Sequence, residues 1–161
     1  AISKTFNMAG LGSSCMMIPN PELKQKISDS YDACWMFGPC DLAFTAMEAA
    51  YTHGDAWVDQ QLAYLEGNVE TVNTFVAEHM PGVQVTKHEG TFLMWLDMTC
   101  FGKSSRELTS ILAKEYGLAL GDGSHYGTQA EGFMRLNIGC TRDTLIKGLE
   151  QMAVMYDKYV K

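Results

Sequence analysis

The segment from Asp55 to Met80, "DAWVDQQLAYLEGNVETVNTFVAEHM", constrains this chain more than any other. Leu62, Leu65, Val69, Val72 and Val76 recur at three- and four-residue steps, so a helix gathers them into one apolar stripe. Asp55 is its expected cap, Gly67 interrupts the pattern without ending it, and Pro81-Gly82 stops it. The period then drops to two. In "VQVTKHE", Val83 and Val85 fall on one face and Gln84 and Thr86 on the other. "TFLMWLDM" reads as a second strand, apolar enough to be central. Ser104-Ser105-Arg106-Glu107 is a capping box opening the helix "ELTSILAKEYG". A short strand "LAL" leads to a glycine-rich loop, "GDGSHYGTQAEG", and "FMRLNIG" is a further strand. Thr141 caps the last helix, "RDTLIKGLEQMAVMYDKYV". This half predicts a small, largely antiparallel sheet backed by helices.

The first fifty-odd residues predict less. "GSSCMMI", residues 12–18, reads as a buried strand closed by Pro19-Asn20-Pro21. Asn20 is an N-cap with Pro21 at the first helical position, and the helix runs to about residue 32. Gly38-Pro39 breaks "CWMFGPC", and a second helix, "DLAFTAMEAAYTH", starts at Asp41 as cap and stops at Gly54. One strand cannot make a sheet alone, so this region looks incomplete.

Composition excludes several functions. The net charge is −7 and the twelve basic residues form no stripe, which argues against nucleic acid. No run of about 18 apolar residues exists, so no membrane span is expected. The odd cysteine count (Cys15, Cys34, Cys40, Cys100, Cys140), with no C-x-x-C spacing, predicts reduced and mostly buried thiols in a reducing cytoplasm. His53, His79, His88 and His125 stand apart from one another and from the cysteines, so no metal is expected. Met16, Met17, Trp35, Met36, Phe37 and Trp95 read as core, although "CWMFGPCDLAF" would be a large apolar patch if nothing covered it.

Three features could carry chemistry. Lys4 lies among the hydroxyl residues Ser3 and Thr5, which suits an amine that holds a carbonyl cofactor. From composition alone, a lysine so near an end reads as a solvated surface charge. Arg135 sits in an apolar strand and needs an anion. It could snorkel to water, pair internally with an Asp or Glu, or offer a fork to a substrate carboxylate. The loop at 121–132 could let His125 and Tyr126 line a pocket, or be a plain connection.

The stretches "SKTFNMAGL", "MMIPNPEL", "EGTFLMWLD" and "EGFMRLNIGC", in this order, are similar to the C-terminal part of fold type I pyridoxal-phosphate enzymes. Within the class I/II aminotransferase relatives they resemble the cystathionine β-lyase (C–S lyase) branch. The family's last motif usually carries proline where this chain has Thr141, a mild departure at a helix start. The resemblance implies an α/β fold: an α+β small domain plus a remnant of the large cofactor-binding domain. Residues 1–53 would be that remnant and 54–161 the small domain. It implies Lys4 as the catalytic, cofactor-holding lysine and Arg135 as the grip on the substrate α-carboxylate; Ser3 beside the lysine is the expected further cofactor contact and Tyr126 the expected further substrate contact. The cofactor implied is pyridoxal 5′-phosphate, and the reaction an α,β-elimination giving pyruvate, ammonia and a thiol. An aminotransferase, or a non-catalytic interaction fragment, are the alternatives. The family's other cofactor contacts precede the lysine, so the chain is expected to be a fragment that by itself binds the cofactor weakly if at all. The implied partners are an amino-acid substrate, the absent cofactor-binding part and a second copy in a cytoplasmic homodimer. Residues 13–18 and 35–44 are the expected self-association patch.

Overall fold

The computed structural model describes residues 2–36, 38 and 40–161. The chain divides into two compact units, Ala1–Gln61 and Leu62–Lys161. Among the described residues, no helix is long and apolar enough to cross a membrane.

In the first unit, α1 (Ile2–Thr5) is a single turn, and Asn7 ends it at φ 54°, a left-handed backbone that asparagine tolerates. Residues 12–20 are irregular, which corrects the strand expected there. A strand needs a ladder partner, and the described residues of this unit hold no other strand. Helix α2 (Pro21–Ala33) starts as the sequence demands, with the Asn20 side chain accepting from Leu23 N at 3.0 Å. None of its residues is buried. Helix α3 (Asp41–His53) has Cys40 rather than Asp41 at its N-cap, with Asp41 in the first turn instead. There its charge favours the helix N-terminus without donating a cap. Of the expected break, Pro39 lies outside the described residues, as does Phe37. Helix α4 (Asp55–His79) begins in this unit and extends through the stripe of the second.

The apolar residues expected in the core here are instead exposed: Met16, Met17, Trp35 and Met36, joined by Leu42 and Phe44. Within the spans 13–18 and 35–44 these six apolar side chains are exposed, while Ser13 and Ala43 are buried. The cysteines also need correcting. Cys15, Cys34, Cys40 and Cys100 are exposed, Cys140 is half-buried, and all five thiols are free.

The second unit is built on a four-stranded antiparallel sheet in the order β1 (Gln84–Val85), β2 (Leu93–Asp97), β4 (Phe133–Asn137), β3 (Gly121–Asp122). β2 is internal, as its apolarity required. The short strand lies at Gly121–Asp122 rather than at "LAL", because the ladder pairs Gly121 with Arg135. Alternation decides the two faces. Met94, Leu96 and Met134 are fully buried beneath the sheet. Trp95, Phe133 and Arg135 are half-buried on the other side.

Leu65, Val72 and Val76 of α4, α5 (Ser105–Tyr116) and α6 (Arg142–Tyr159) complete the core with Leu108, Leu112, Leu149, Met152 and Met155. Leu62, also on the predicted stripe, is exposed. The capping box is formed in full: Ser104 Oγ accepts from Glu107 N, and the Glu107 carboxylate accepts from Ser104 N at 3.0 Å. The Ser104 hydroxyl, which donates to the same carboxylate at 2.7 Å, and then the Ser104 N–H hold the Glu107 carboxyl below its ordinary range. Thr141 caps α6.

Candidate active site

Lys4 is presented by the geometry of one helical turn. Ile2 and Phe6, four residues apart, share a face and are both buried. Lys4, between them in sequence, falls on the opposite face and is exposed, with Ser3 half-buried beside it. Phe6 anchors the turn. Its ring stacks on Trp57 at 6.2 Å and meets Tyr51 edge-on at 5.5 Å. Gly54 lies directly against Phe6, and a Cβ there would collide with the ring. The motif near the chain's start is therefore held by packing.

Arg135 is built from the second unit. In the ladder it is flanked by Trp95 on β2 and Gly121 on β3. Its side chain crosses Gly121, where an added Cβ would approach Arg135 Cβ at 3.1 Å and Nε at 3.2 Å. The absent side chain is the space the arginine uses. The guanidinium lies over the Tyr126 ring, 5.2 Å from its centroid. Among the described residues no carboxylate lies within 4.0 Å of it. Of the readings left open for this residue, the internal ion pair is therefore not the one adopted.

Tyr126 in turn meets Trp95 edge-on at 5.5 Å, and Trp95 stacks on Phe133 at 5.8 Å. These three rings, with residues 127–130, line an open cavity of about 350 Å³. The glycine-rich loop is no slack connection. It contains two short 3₁₀ turns, Gly123–Tyr126 and Thr128–Ala130. Asp122 starts the first by accepting from Ser124 N at 2.8 Å and Ser124 Oγ at 2.7 Å, which lowers its carboxyl below the ordinary range. Lys4 and Arg135 belong to different compact units.

Two clusters escaped the sequence reading. Asn68 sits fully buried on the α4 stripe, three residues after Leu65 and four before Val72. It donates to the carbonyls of Ile138 (2.9 Å) and Cys140 (3.2 Å) and accepts from Arg142 Nε (3.0 Å). Arg142 also donates from Nη2 to Tyr64 O and from its backbone N to Tyr64 Oη. Its guanidinium occupies the space over Gly67, so that glycine makes room for an arginine rather than merely interrupting a stripe. A polar residue at a core position was the available signal. The second cluster surrounds Ser105, which had been read only as part of a capping box.

No family model matches the chain. It is 39% identical over 152 residues to the cystathionine β-lyase PatB of Bacillus subtilis, covering 94% of this chain and 39% of that protein. It is 32% identical over 152 residues to the protein MalY of Escherichia coli, covering 91% of this chain and 38% of that one. In three dimensions it matches cystalysin of Treponema denticola, a pyridoxal-phosphate-containing structure, with a TM-score of 0.91 at 26% identity, over 100% of this chain and 41% of the other. The chain thus spans about two fifths of the length of the curated relatives it matches.

Proposed function

We propose that this chain, which belongs with the pyridoxal-phosphate-dependent C–S lyases and aminotransferases, contributes the cofactor-holding lysine and the substrate-carboxylate arginine of a cystathionine β-lyase type enzyme. The observation that carries the reading is Arg135: a half-buried arginine laid across a glycine, its guanidinium over the Tyr126 ring, with no carboxylate of the described residues in ion-pair range. A fork in that condition suits a substrate carboxylate held in two parallel hydrogen bonds.

The residues present fit the cofactor. Lys4 offers a primary amine on the exposed face of a turn fixed by buried Ile2 and Phe6, with the Ser3 hydroxyl beside it for a phosphate oxygen. When bound, pyridoxal phosphate supplies an electron sink for the carbanion formed at Cα.

The chain's own residues supply the rest. Arg135 binds the α-carboxylate and so orients the Cα–H bond, while Tyr126 shields the guanidinium on one face and excludes water from it. Lys4 Nζ takes the Cα proton and can return it to the departing sulfur. The overall reaction breaks the Cβ–S bond and consumes one water, releasing a thiol, pyruvate and ammonia. We further propose that residues 1–53 go with a cofactor-binding domain and 54–161 form the small domain. The exposed Met16, Met17, Trp35, Met36, Leu42 and Phe44 support a homodimer, and the five free thiols suit the cytoplasm.

The test is pyruvate release from L-cystathionine by the complete enzyme. It should fall at least a thousandfold on Lys4→Ala, and a wild-type enzyme releasing no pyruvate would sink the lyase reading. An aminotransferase would use the same Lys4 and Arg135, and keto-acid-dependent amino transfer without pyruvate identifies it.

A further inference from the structure

Ser105 is fully buried, yet it is the first residue of α5. Its backbone N–H, one of the first-turn donors with no helical partner, donates to Glu131 Oε1 at 2.6 Å. Its hydroxyl accepts from Gly132 N at 2.7 Å, and its one proton faces the carbonyls of Ala130 and Phe133, each at 3.4 Å. Every one of these partners lies at the end of the 121–132 loop or the start of β4. Gly123, on the incoming side, sits so close to the carbonyls of Ala130 and Phe133 that any Cβ would collide with both. Gly132, at φ 82°, accepts with its own carbonyl from Met98 N at 3.0 Å. The loop is therefore folded back on itself and its end is held by the Ser105 hydroxyl and N–H and by Met98 N, with Tyr126 within the loop against Arg135.

We propose that Ser105 is a positioning residue: its hydroxyl clasps the loop shut so that the Tyr126 ring stays on the Arg135 guanidinium and keeps the fork turned for a carboxylate. The last clause rests on the reading of Arg135 given above; the clasp itself does not. Alanine at 105 would leave the Gly132 N–H buried without a partner, and the loop would open to satisfy it.

The test compares the chain with its Ser105→Ala and Leu112→Ala variants by amide hydrogen exchange and by the NMR signal of Arg135 Nε–H, which the Tyr126 ring shifts. Leu112 is fully buried on the same helix and is absent from the hydrogen bonds of the clasp. Ser105→Ala should speed exchange at residues 123–132 at least tenfold while leaving α6 unchanged. It should also move the Arg135 signal toward its random-coil value and weaken the response of that signal to acetate at least fivefold. Leu112→Ala should speed exchange in loop and α6 alike without moving the Arg135 signal. Equal loosening by both variants, or an Arg135 signal unmoved by Ser105→Ala, overturns the proposal. If Ser105→Ala does not fold, Tyr126→Ala at an exposed position reads the same contact, and an unchanged acetate response there overturns it as well. A wild-type chain whose Arg135 signal ignores acetate would instead sink the carboxylate reading, leaving the clasp to stand or fall on the exchange and ring-shift data.

Discussion

Residues 62–161 gather nineteen buried apolar side chains into one cluster, whereas the cluster described in residues 1–61 holds Ile2, Phe6 and Ala50. The contrast is not one of composition. The first stretch has Met16, Met17, Leu23, Trp35, Met36, Leu42, Phe44 and Tyr51, all exposed. It lacks a geometry that would point them at one another. In the second stretch a sheet supplies one flat face and three helices each supply a stripe, so apolar residues far apart in sequence converge. In the first, α2 has no buried residue to contribute. What it does hold firmly is the single turn bearing Lys4.

The largest test of this contrast is a cavity. Leu149→Ala, at a site 1% exposed, should cost about 3 kcal/mol in the denaturation midpoint, as buried Leu→Ala changes do. Met17→Ala, at a site 91% exposed, should change stability by less than about 0.5 kcal/mol. A comparable loss from both would mean that residues 1–61 pack more than their exposure indicates.

Gly121→Ala should come next. It pushes a methyl into Arg135 and should weaken acetate binding about tenfold, roughly 1.4 kcal/mol, read by titration. Ser104→Ala should cost about 1 kcal/mol by loss of the α5 cap, seen in the same denaturation experiment.

Thiol chemistry sharpens the comparison further. Burial raises the half-buried Cys140 thiol, and at Cys100, whose surface remains exposed, partial desolvation of the sulfur together with the Asp97 carboxylate does the same, so both should alkylate more slowly at pH 8 than Cys15, Cys34 and Cys40. Timed alkylation followed by peptide mass mapping gives the order, and Cys140 reacting first would contradict it.

The smallest effect is local. The Asp122 carboxyl is lowered in the folded state by its hydrogen bond from Ser124, so the stabilisation is complete above the ordinary aspartate value. It is lost as the pH falls through that value and then through the lower folded one. Exchange at Ser124 should accelerate across that acid window, and Asp122→Asn should flatten the dependence.

The periodic elements were legible. The α4 stripe, the alternation around Val83–Val85, the Asn20 and Thr141 caps and the Ser104–Glu107 box all announce themselves within a few residues, because caps and periods are local physics. The strand predicted at 12–18 failed because strand formation is decided by a partner, which no short window contains. Asp41 lies in the first turn of α3 rather than at its cap because helix termini slide by a residue at little cost. The core assigned to Met16, Met17, Trp35 and Met36 failed because apolarity creates a demand for burial but does not say what meets it.

By itself the sequence determined where α2, α5 and α6 are capped, which strand would be internal, and that Lys4 and Arg135 were the residues to ask about. Only the tertiary structure decided why Arg135 can lie half-buried with no carboxylate of the described residues in ion-pair range. Gly121 leaves the room, Tyr126 provides a ring, and Ser105, sixteen residues before the glycine and thirty before the arginine, ties the loop that carries that ring. Those are contacts between distant segments, and nothing local to any one of them encodes the others.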